Sequence, residues 1–254
     1  MSGIHVLADT HLGADTPALN ILLMQHLSEW MGKLDALYVL GNFFDVWLGD
    51  DIRHHVSEEL TATLQAFSQH TPIYMQHGSH DFLLGEAFAA RAGVTLLPEI
   101  ATVTAYNQQL ILLHGDVLYP HSEAEQAFRH RSRSAAWQTQ QYQTPVPERK
   151  QYLAQQIWQQ AHQPQAQQAI DESRLLALLD QHGSSHLLIH ELPITVVHGH
   201  NPPALTGRFE HMWQGRQIQR IALPRWQGLN GGYWHFTDQG QGQWQGLGVK
   251  IHAS

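Results

Sequence analysis

The residues best able to do chemistry stand in five small clusters, each at the end of an apolar run. Asp9-Thr10-His11 follows Ile4 to Ala8, and Gly41-Asn42-Phe43-Phe44-Asp45 follows Ala36 to Leu40. Gly78-Ser79-His80-Asp81 comes after Pro72 to Met75, His114-Gly115-Asp116 after Leu110 to Leu113, and His198-Gly199-His200-Asn201 after Ile194 to Val197. Carboxylate, imidazole and amide side chains are O and N donors of the kind that suits Mn, Fe or Zn. Asp9 and His11 are two apart at a strand end, where alternate side chains share a face, so both can point at one cation. Asn42, His114 and His200 extend the set. Two divalent ions roughly 3.5–4 Å apart can clamp the attacking and leaving oxygens of a phosphoryl group. A single Asp-x-His is more often structural; five clusters in succession point to a metallohydrolase centre.

Something must hold those clusters together. Short, β-branched apolar runs bounded by Gly and polar residues read as buried strands, and open α/β sheets gather functional groups beyond the carboxyl ends of such strands. Between the first two runs lies a helix with Thr16 as its cap, Pro17 in its first turn and Leu19, Leu22, Leu23, Leu27 and Trp30 at helical spacing. Val56 to Ser68 reads as a second helix and Phe82 to Ala92 as a third, closed by Gly93 as a left-handed cap. This alternation predicts βαβ units and a largely parallel sheet.

Ala101 to Tyr106, followed by Asn107-Gln108 and another apolar run, predicts a hairpin. Residues 218–223, 232–237 and 243–251 predict antiparallel strands, with turns at Gly231-Gly232 and Gln239-Gly240. The first half is expected to build one sheet and the last third a second. The fold class is therefore α/β: two packed mixed β-sheets flanked by helices, in one domain over residues 1–254. A helical, Gln-rich insertion over about 120–180, interrupted by Pro145 and Pro147, is expected to cap the site. Ser122, three residues before Glu125, opens it with a capping-box arrangement. Phe128, Trp137, Tyr142, Tyr152, Ile157 and Trp158 are its main apolar groups.

Composition narrows the function. The formal charge of −8 leaves no electrostatic footprint for nucleic acid, and none is expected as a partner. With no cysteine in the chain, a metal site must use N and O ligands, and a reducing compartment is suitable. Met1-Ser2-Gly3 runs straight into the first strand, and no apolar stretch is long enough to span a bilayer. The expectation is a cytoplasmic protein, soluble or peripheral on a membrane. Of the 20 histidines, His54, His55, His121, His130, His162 and His211 sit in polar stretches and are expected to be solvated.

The five clusters, in this order, resemble the calcineurin-like metallophosphoesterases. Asp35 to Gly41, Phe44 to Asp51, His80 to Gly85 and Thr95 to Glu99 bring the chain nearest, among these, to the UDP-2,3-diacylglucosamine pyrophosphohydrolases of lipid A biosynthesis. The resemblance covers most of residues 3–120 and returns over 170–202. It implies a metallophosphoesterase sandwich with a helical lid and two Mn²⁺ ions. The implied reaction cleaves UDP-diacylglucosamine, or a related lipid nucleotide, to lipid X and UMP at the surface of the inner membrane. It further implies metal positions at Asp9, His11, Asn42, His114 and His200. His80 would be a general acid oriented by Asp81, and Ser79, His80 and Ser122 would contact substrate. Asp45, Asp81 and Asp116 are in this pattern more often supporting residues than ligands.

The departures matter as much. Where the family has an Asp bridging both metals, this chain has Asn42; a second-metal Asn is Ser79, and the second His of Gly-His-x-His falls on Pro202. Two divalent ions 4 Å apart repel by roughly 17 kcal/mol at an effective dielectric near 20. A bridging carboxylate offsets much of that, whereas a neutral amide offers only a dipole. One ion or none is therefore expected. The sequence supports a divergent pyrophosphohydrolase, or alternatively a catalytically inactive pseudoenzyme that keeps the fold as a lipid-, nucleotide- or protein-binding module. In the cap, Gln155 to Gln160 and Gln165 to Gln168 stand without the family's Lys. Arg129, Arg131 and Arg133 could meet phosphates or an anionic surface, or form a solvated face.

Overall fold

The computed structural model of the protein describes residues 3–119, 122–161, 169–184, 191–202 and 205–248. His121, His162, Gln165 to Gln168 and the end of the last expected strand lie outside them, as do the side chains of Ile157 to Gln160.

Strands β1 (Gly3–Leu7), β2 (Ala36–Leu40), β3 (Ile73–Gln76) and β4 (Val94–Leu96) alternate with helices α1 (Pro17–Trp30), α2 (His55–Ser68) and α3 (Glu86–Ala92). The four strands pair in parallel, as successive βαβ units require. Next, β5 (Ile100–Ala105) and β6 (Gln108–Leu113) form the expected hairpin, turned by Tyr106 and Asn107 at positive φ. Later in the chain come β7 (Ile194–His198), β8 (Gly207–Trp213), β9 (Arg216–Ala222), β10 (Asn230–Thr237) and β11 (Gly242–Gly248). Two mixed sheets result, ordered β11-β10-β1-β2-β3-β4 and β5-β6-β7-β9-β8.

The division of the chain between the sheets differs from expectation. Strands β10 and β11 return to the first sheet, with β10 antiparallel to β1, so the last third serves both sheets. Gly207–Trp213, not expected as a strand, forms β8, an edge strand antiparallel to β9. Gly231-Gly232 is not a turn but lies inside β10. A side chain at either glycine would strike an indole, Trp226 or Trp244, so these glycines make room for tryptophans. The third helix starts at Glu86 rather than Phe82. Phe82, Leu83 and Leu84 are buried ahead of it, and the Asp50 carboxylate accepts the Gly85 and Phe88 amides, which fixes where the helix begins.

Period-two alternation sorts the strand residues into layers. Ile4, Val6, Tyr38 and Leu40 meet Leu110, Leu112 and Val197 in a core between the sheets. Leu7, Val39 and Met75 point the other way, onto Leu22, Leu23, Leu64 and Phe88 of the helices. On the far side, Ile111, Leu113 and Val196 pack against Leu175 and Leu179 of α7 (Glu172–Ser184). The insertion thus divides. Helix α7 covers the second sheet, while α4 (Glu123–Ser132), α5 (Ala135–Gln143) and α6 (Val146–Ala161) bury Phe128, Trp137 and Leu153 with the first. Among the described residues no helix is long and apolar enough to cross a membrane.

Candidate functional site

All five clusters meet where the carboxyl ends of β1, β2 and β3 face those of β6 and β7. The Asn42 amide Nδ2 lies 3.0 Å from Asp9 Oδ1, and the His200 backbone N–H donates to Asp9 Oδ2 at 2.5 Å. The rings of His114 and His200 are 5.1 Å apart, and those of His11 and His80 are 4.8 Å apart. Asp9, His11, Asn42 and His200 all have left-handed backbone, with φ of 52°, 45°, 51° and 57°. Such a conformation costs a residue with a side chain about 1–2 kcal/mol, so the surroundings must impose it.

Much of that restraint is visible as hydrogen bonds between loops. Asp9 donates its amide to Gly41 O, His11 to Asn42 O and Leu12 to Phe43 O. Asp81, fully buried, accepts the amides of Gly78 and Phe43 at 2.7 Å each and that of Asn42 at 3.2 Å. Its carboxylate is therefore a clamp between the β2 and β3 loops. The expected orientation of His80 by Asp81 is made differently: His80 Nδ1 sits 2.7 Å from the Asp45 carbonyl oxygen. Thr16 does not cap α1 with its side chain but donates to His11 O and accepts from Gly13 N. Asn20, one helical turn on, brackets Gly13 with its amide, donating to Gly13 O and accepting from Gly13 N. Gly78 has no room for a side chain, because Asn42 lies against it.

Charge is concentrated at Asp9. Burial opposes its ionisation and is the largest single influence, yet His114, His11, His200 and the His200 amide outweigh it and hold the carboxyl below its usual range. Asp45 is also lowered, first by the His11 ring, whose Nδ1 stands 3.5 Å from Oδ1 without closing into a well-aligned hydrogen bond. Burial, then the neighbouring His11, pushes His80 down to about 4. His114 has the dress of a metal ligand: Nδ1 lies 2.8 Å from Leu40 O and Nε2 is buried without a partner.

The residues present do not fit a two-ion centre. Asn42 Oδ1 accepts the His80 amide at 2.9 Å, which turns Nδ2 towards Asp9; the opposite orientation would face two oxygens. At the bridging position the chain thus offers an N–H donor, where two cations need a shared lone-pair donor. Ser79 Oγ lies 3.5 Å from the same Nδ2, and Pro202 has no side-chain donor atom. A different set, His11, Asp45 and His80, brings one ligand atom from each residue to within 4.8 Å of the others.

Around this centre several polar residues are committed elsewhere. Arg129 and Arg133 both pair with Asp116 and Glu99, and Arg133 also reaches the Gly78 carbonyl. Exposed Arg131 donates to Tyr152. Ser122 takes the Glu125 amide at the start of α4, the predicted capping box, and is exposed. His211 is not simply solvated: it lies between Glu172 and Arg220, and Arg220 reaches buried His198. Asn20, Tyr119 and Arg220 carry no motif signal. Tyr119 is found through its 2.6 Å bond to Asn201 and its ring contact with His200, centroids 5.6 Å apart.

No family model matches the sequence. Curated relatives do. The UDP-2,3-diacylglucosamine hydrolase of Chromobacterium violaceum is 34% identical over 243 residues, spanning 93% of this chain and 96% of the relative. That of Chromohalobacter salexigens is 32% identical over 87% of each chain. The Shewanella loihica protein of the same name reaches 48% over 129 residues, 51% of this chain and 53% of its own. Among solved structures, YfcE, a phosphoesterase from E. coli, aligns over 92% of this chain and 88% of its own at 12% identity, with a TM-score of 0.41. That structural likeness is too loose to add to the assignment. The full-length matches, with the converging clusters, place the chain in the UDP-2,3-diacylglucosamine hydrolase family.

Proposed function

We propose that this protein is a divergent family member that recognises a UDP-diacylglucosamine-type lipid nucleotide and does not cleave it through a two-ion centre. The observation that carries this reading is the Asn42 amide hydrogen-bonded to Asp9 at 3.0 Å. Hydrolysis by a Mn²⁺ pair needs an anionic bridge at that point; here the loops are held together by a neutral donor. His80 argues in the same direction. The Asp45 carbonyl can only accept, so Nδ1 carries the proton, and a ring titrating near 4 is neutral at pH 7 with no proton on Nε2 to give a leaving group.

What supports retained recognition is the full-length kinship and the survival of the loop framework around Asp9, His114 and His200. In this reading Ser79 and His80, beside Asn42, contact the diphosphate, and Ser122, at the start of α4, contacts the ligand from the insertion. A lipid ligand brings the protein to the cytoplasmic face of the inner membrane as a peripheral visitor. In this reading the chain acts as a binding module, by holding a lipid nucleotide or presenting it to another protein.

The test is direct. Purified protein is mixed with UDP-2,3-diacylglucosamine and Mn²⁺, and both binding and UMP release are measured. Saturable binding without UMP above the blank is the expected result. Metal-dependent release of UMP and lipid X at a catalytic rate would overturn it.

A further inference from the structure

Beside the inherited cradle the fold assembles a different donor set. We propose that His11, Asp45 and His80 bind one divalent transition cation through two imidazole nitrogens and a carboxylate oxygen, offset from Asp9, His114 and His200. The proposal goes beyond the reading above, from which it takes only the loss of the two-ion centre.

The three residues lie on the loops after β1, β2 and β3, all from the first sheet, and their ligand atoms lie within 4.8 Å of one another. His11 Nδ1 and Asp45 Oδ1 are 3.5 Å apart. Donors bound at about 2.0–2.2 Å around a tetrahedral ion are separated by roughly 3.3–3.6 Å, so this edge is already the right length. The same Asp45 Oδ1 stands 4.0 Å from the His80 ring at Nδ1, and the Asp45 side chain, 48% exposed, has room to turn between the two rings. Backbone bonds hold the frame: the Asp45 amide donates to Leu12 O, His11 to Asn42 O, and Trp47 to His80 O.

An unpartnered ring nitrogen is the second observation. His11 is 5% exposed, and its Nδ1 is buried with no hydrogen-bond partner. Its other nitrogen, Nε2, faces Asp9 Oδ1 at 3.8 Å, so the one ring separates the inherited cradle from the new set. A buried ring nitrogen without a partner is a standing cost, and a cation between His11 and Asp45 removes it.

His80 is prepared in the way ligating histidines are. Its Nδ1–H donates to a backbone carbonyl, which fixes the tautomer and leaves Nε2 with a lone pair. The His11 and His80 rings stand at 80° to each other, so the two can approach one point from different directions. Two imidazoles and one carboxylate select Zn, Fe(II), Co or Mn over Mg and Ca, and leave open positions for water or a phosphate oxygen.

Co²⁺ is the probe, titrated into the metal-stripped full-length chain and followed by visible absorption and equilibrium dialysis. One ion per chain is expected. Asp45→Asn and His80→Gln should each weaken it by about 100-fold, as removal of a direct ligand must exceed loss of a supporting one. His114→Gln should change it by no more than about threefold, and circular dichroism confirms that each variant is folded. Because Asp45 is half-exposed, its substitution leaves the core intact. One ion that is lost in His114→Gln but kept in Asp45→Asn overturns the proposal and puts the cation in the inherited cradle. No bound ion overturns the site while leaving the proposed function standing. Two ions per chain that are both lost in His114→Gln and kept in Asp45→Asn overturn the site, and UMP release by that two-ion form overturns the proposed function as well.

Discussion

Asn42 donates its side-chain N–H to Asp9 at 3.0 Å, so two loops that a shared pair of cations would tie are tied instead by one amide–carboxylate hydrogen bond. Asp9 has the His200 amide on its other oxygen. The single carboxylate left among the inherited positions is thus satisfied by protein donors.

Asn42→Asp should replace that attraction with two carboxylates facing each other. Without metal the variant is expected to lose about 1–3 kcal/mol, the cost of removing a buried hydrogen bond to a charged group. Added Mn²⁺ should restore part of the loss by supplying the missing positive charge. Urea unfolding with and without Mn²⁺ reads both effects. A variant as stable as the native chain in chelator would show that the Asn42–Asp9 contact contributes nothing.

Asp81→Ala should orphan the buried amides of Gly78, Phe43 and Asn42 at once. Unpaired buried donors cost about 1–3 kcal/mol each, so a loss of 3 kcal/mol or more is expected. Asp81→Asn, which keeps one acceptor oxygen, should lose less. Equal losses in the two variants would argue that the carboxylate fills space rather than clamping loops.

Acid should destabilise the fold through His5. Its ring is held neutral when folded, with a pKa pushed down to about 3 by burial and then by His235 and His26. Above pH 6.5 the ring is neutral in both states and makes no difference to stability. Below it the unfolded chain takes up a proton that the folded one refuses. Stability therefore falls as pH drops from 6.5 towards 3, by up to about 1.4 kcal/mol per unit. His5→Phe, apolar and similar in size, should flatten that slope in unfolding measured between pH 7 and 4. An unchanged slope would assign the acid sensitivity elsewhere.

Asp116→Ala should loosen the cap without unfolding the sheets. Asp116 pairs with Arg129 and Arg133, which join α4 and the residue after it to the β6 loop. Faster proteolytic nicking within α4 to α6, with a thermal midpoint lowered by only a few degrees, is the expected pattern. Cooperative loss of the whole fold would mean that the ion pairs support the core itself.

The parallel βαβ units were readable because each strand is a short apolar run that ends at a polar cluster, and the sheets do bring those cluster ends together. Sheet membership was less so. The pattern of β10 records which residues alternate, not which strand they pair with, and its return to β1 is a long-range choice. Gly231-Gly232 shows the limit of local rules: the pair has the composition of a turn and serves as clearance for Trp226 and Trp244. At the site, motifs located Asp9, His11, Asn42, His114 and His200 in one place. They could not say that Asn42 would turn its N–H to Asp9, nor that His80 would take its orientation from the Asp45 carbonyl. Those outcomes depend on hydrogen-bond partners brought in from other loops.

The central claim is that the cation bridge has been exchanged for a hydrogen bond. Its most direct test is electron paramagnetic resonance of Mn²⁺ bound to the native chain and to the variant carrying Asn42→Asp, Ser79→Asn and Pro202→His. The spectrum of an exchange-coupled Mn²⁺ pair is expected only in the variant. A coupled pair in the native protein would contradict the account.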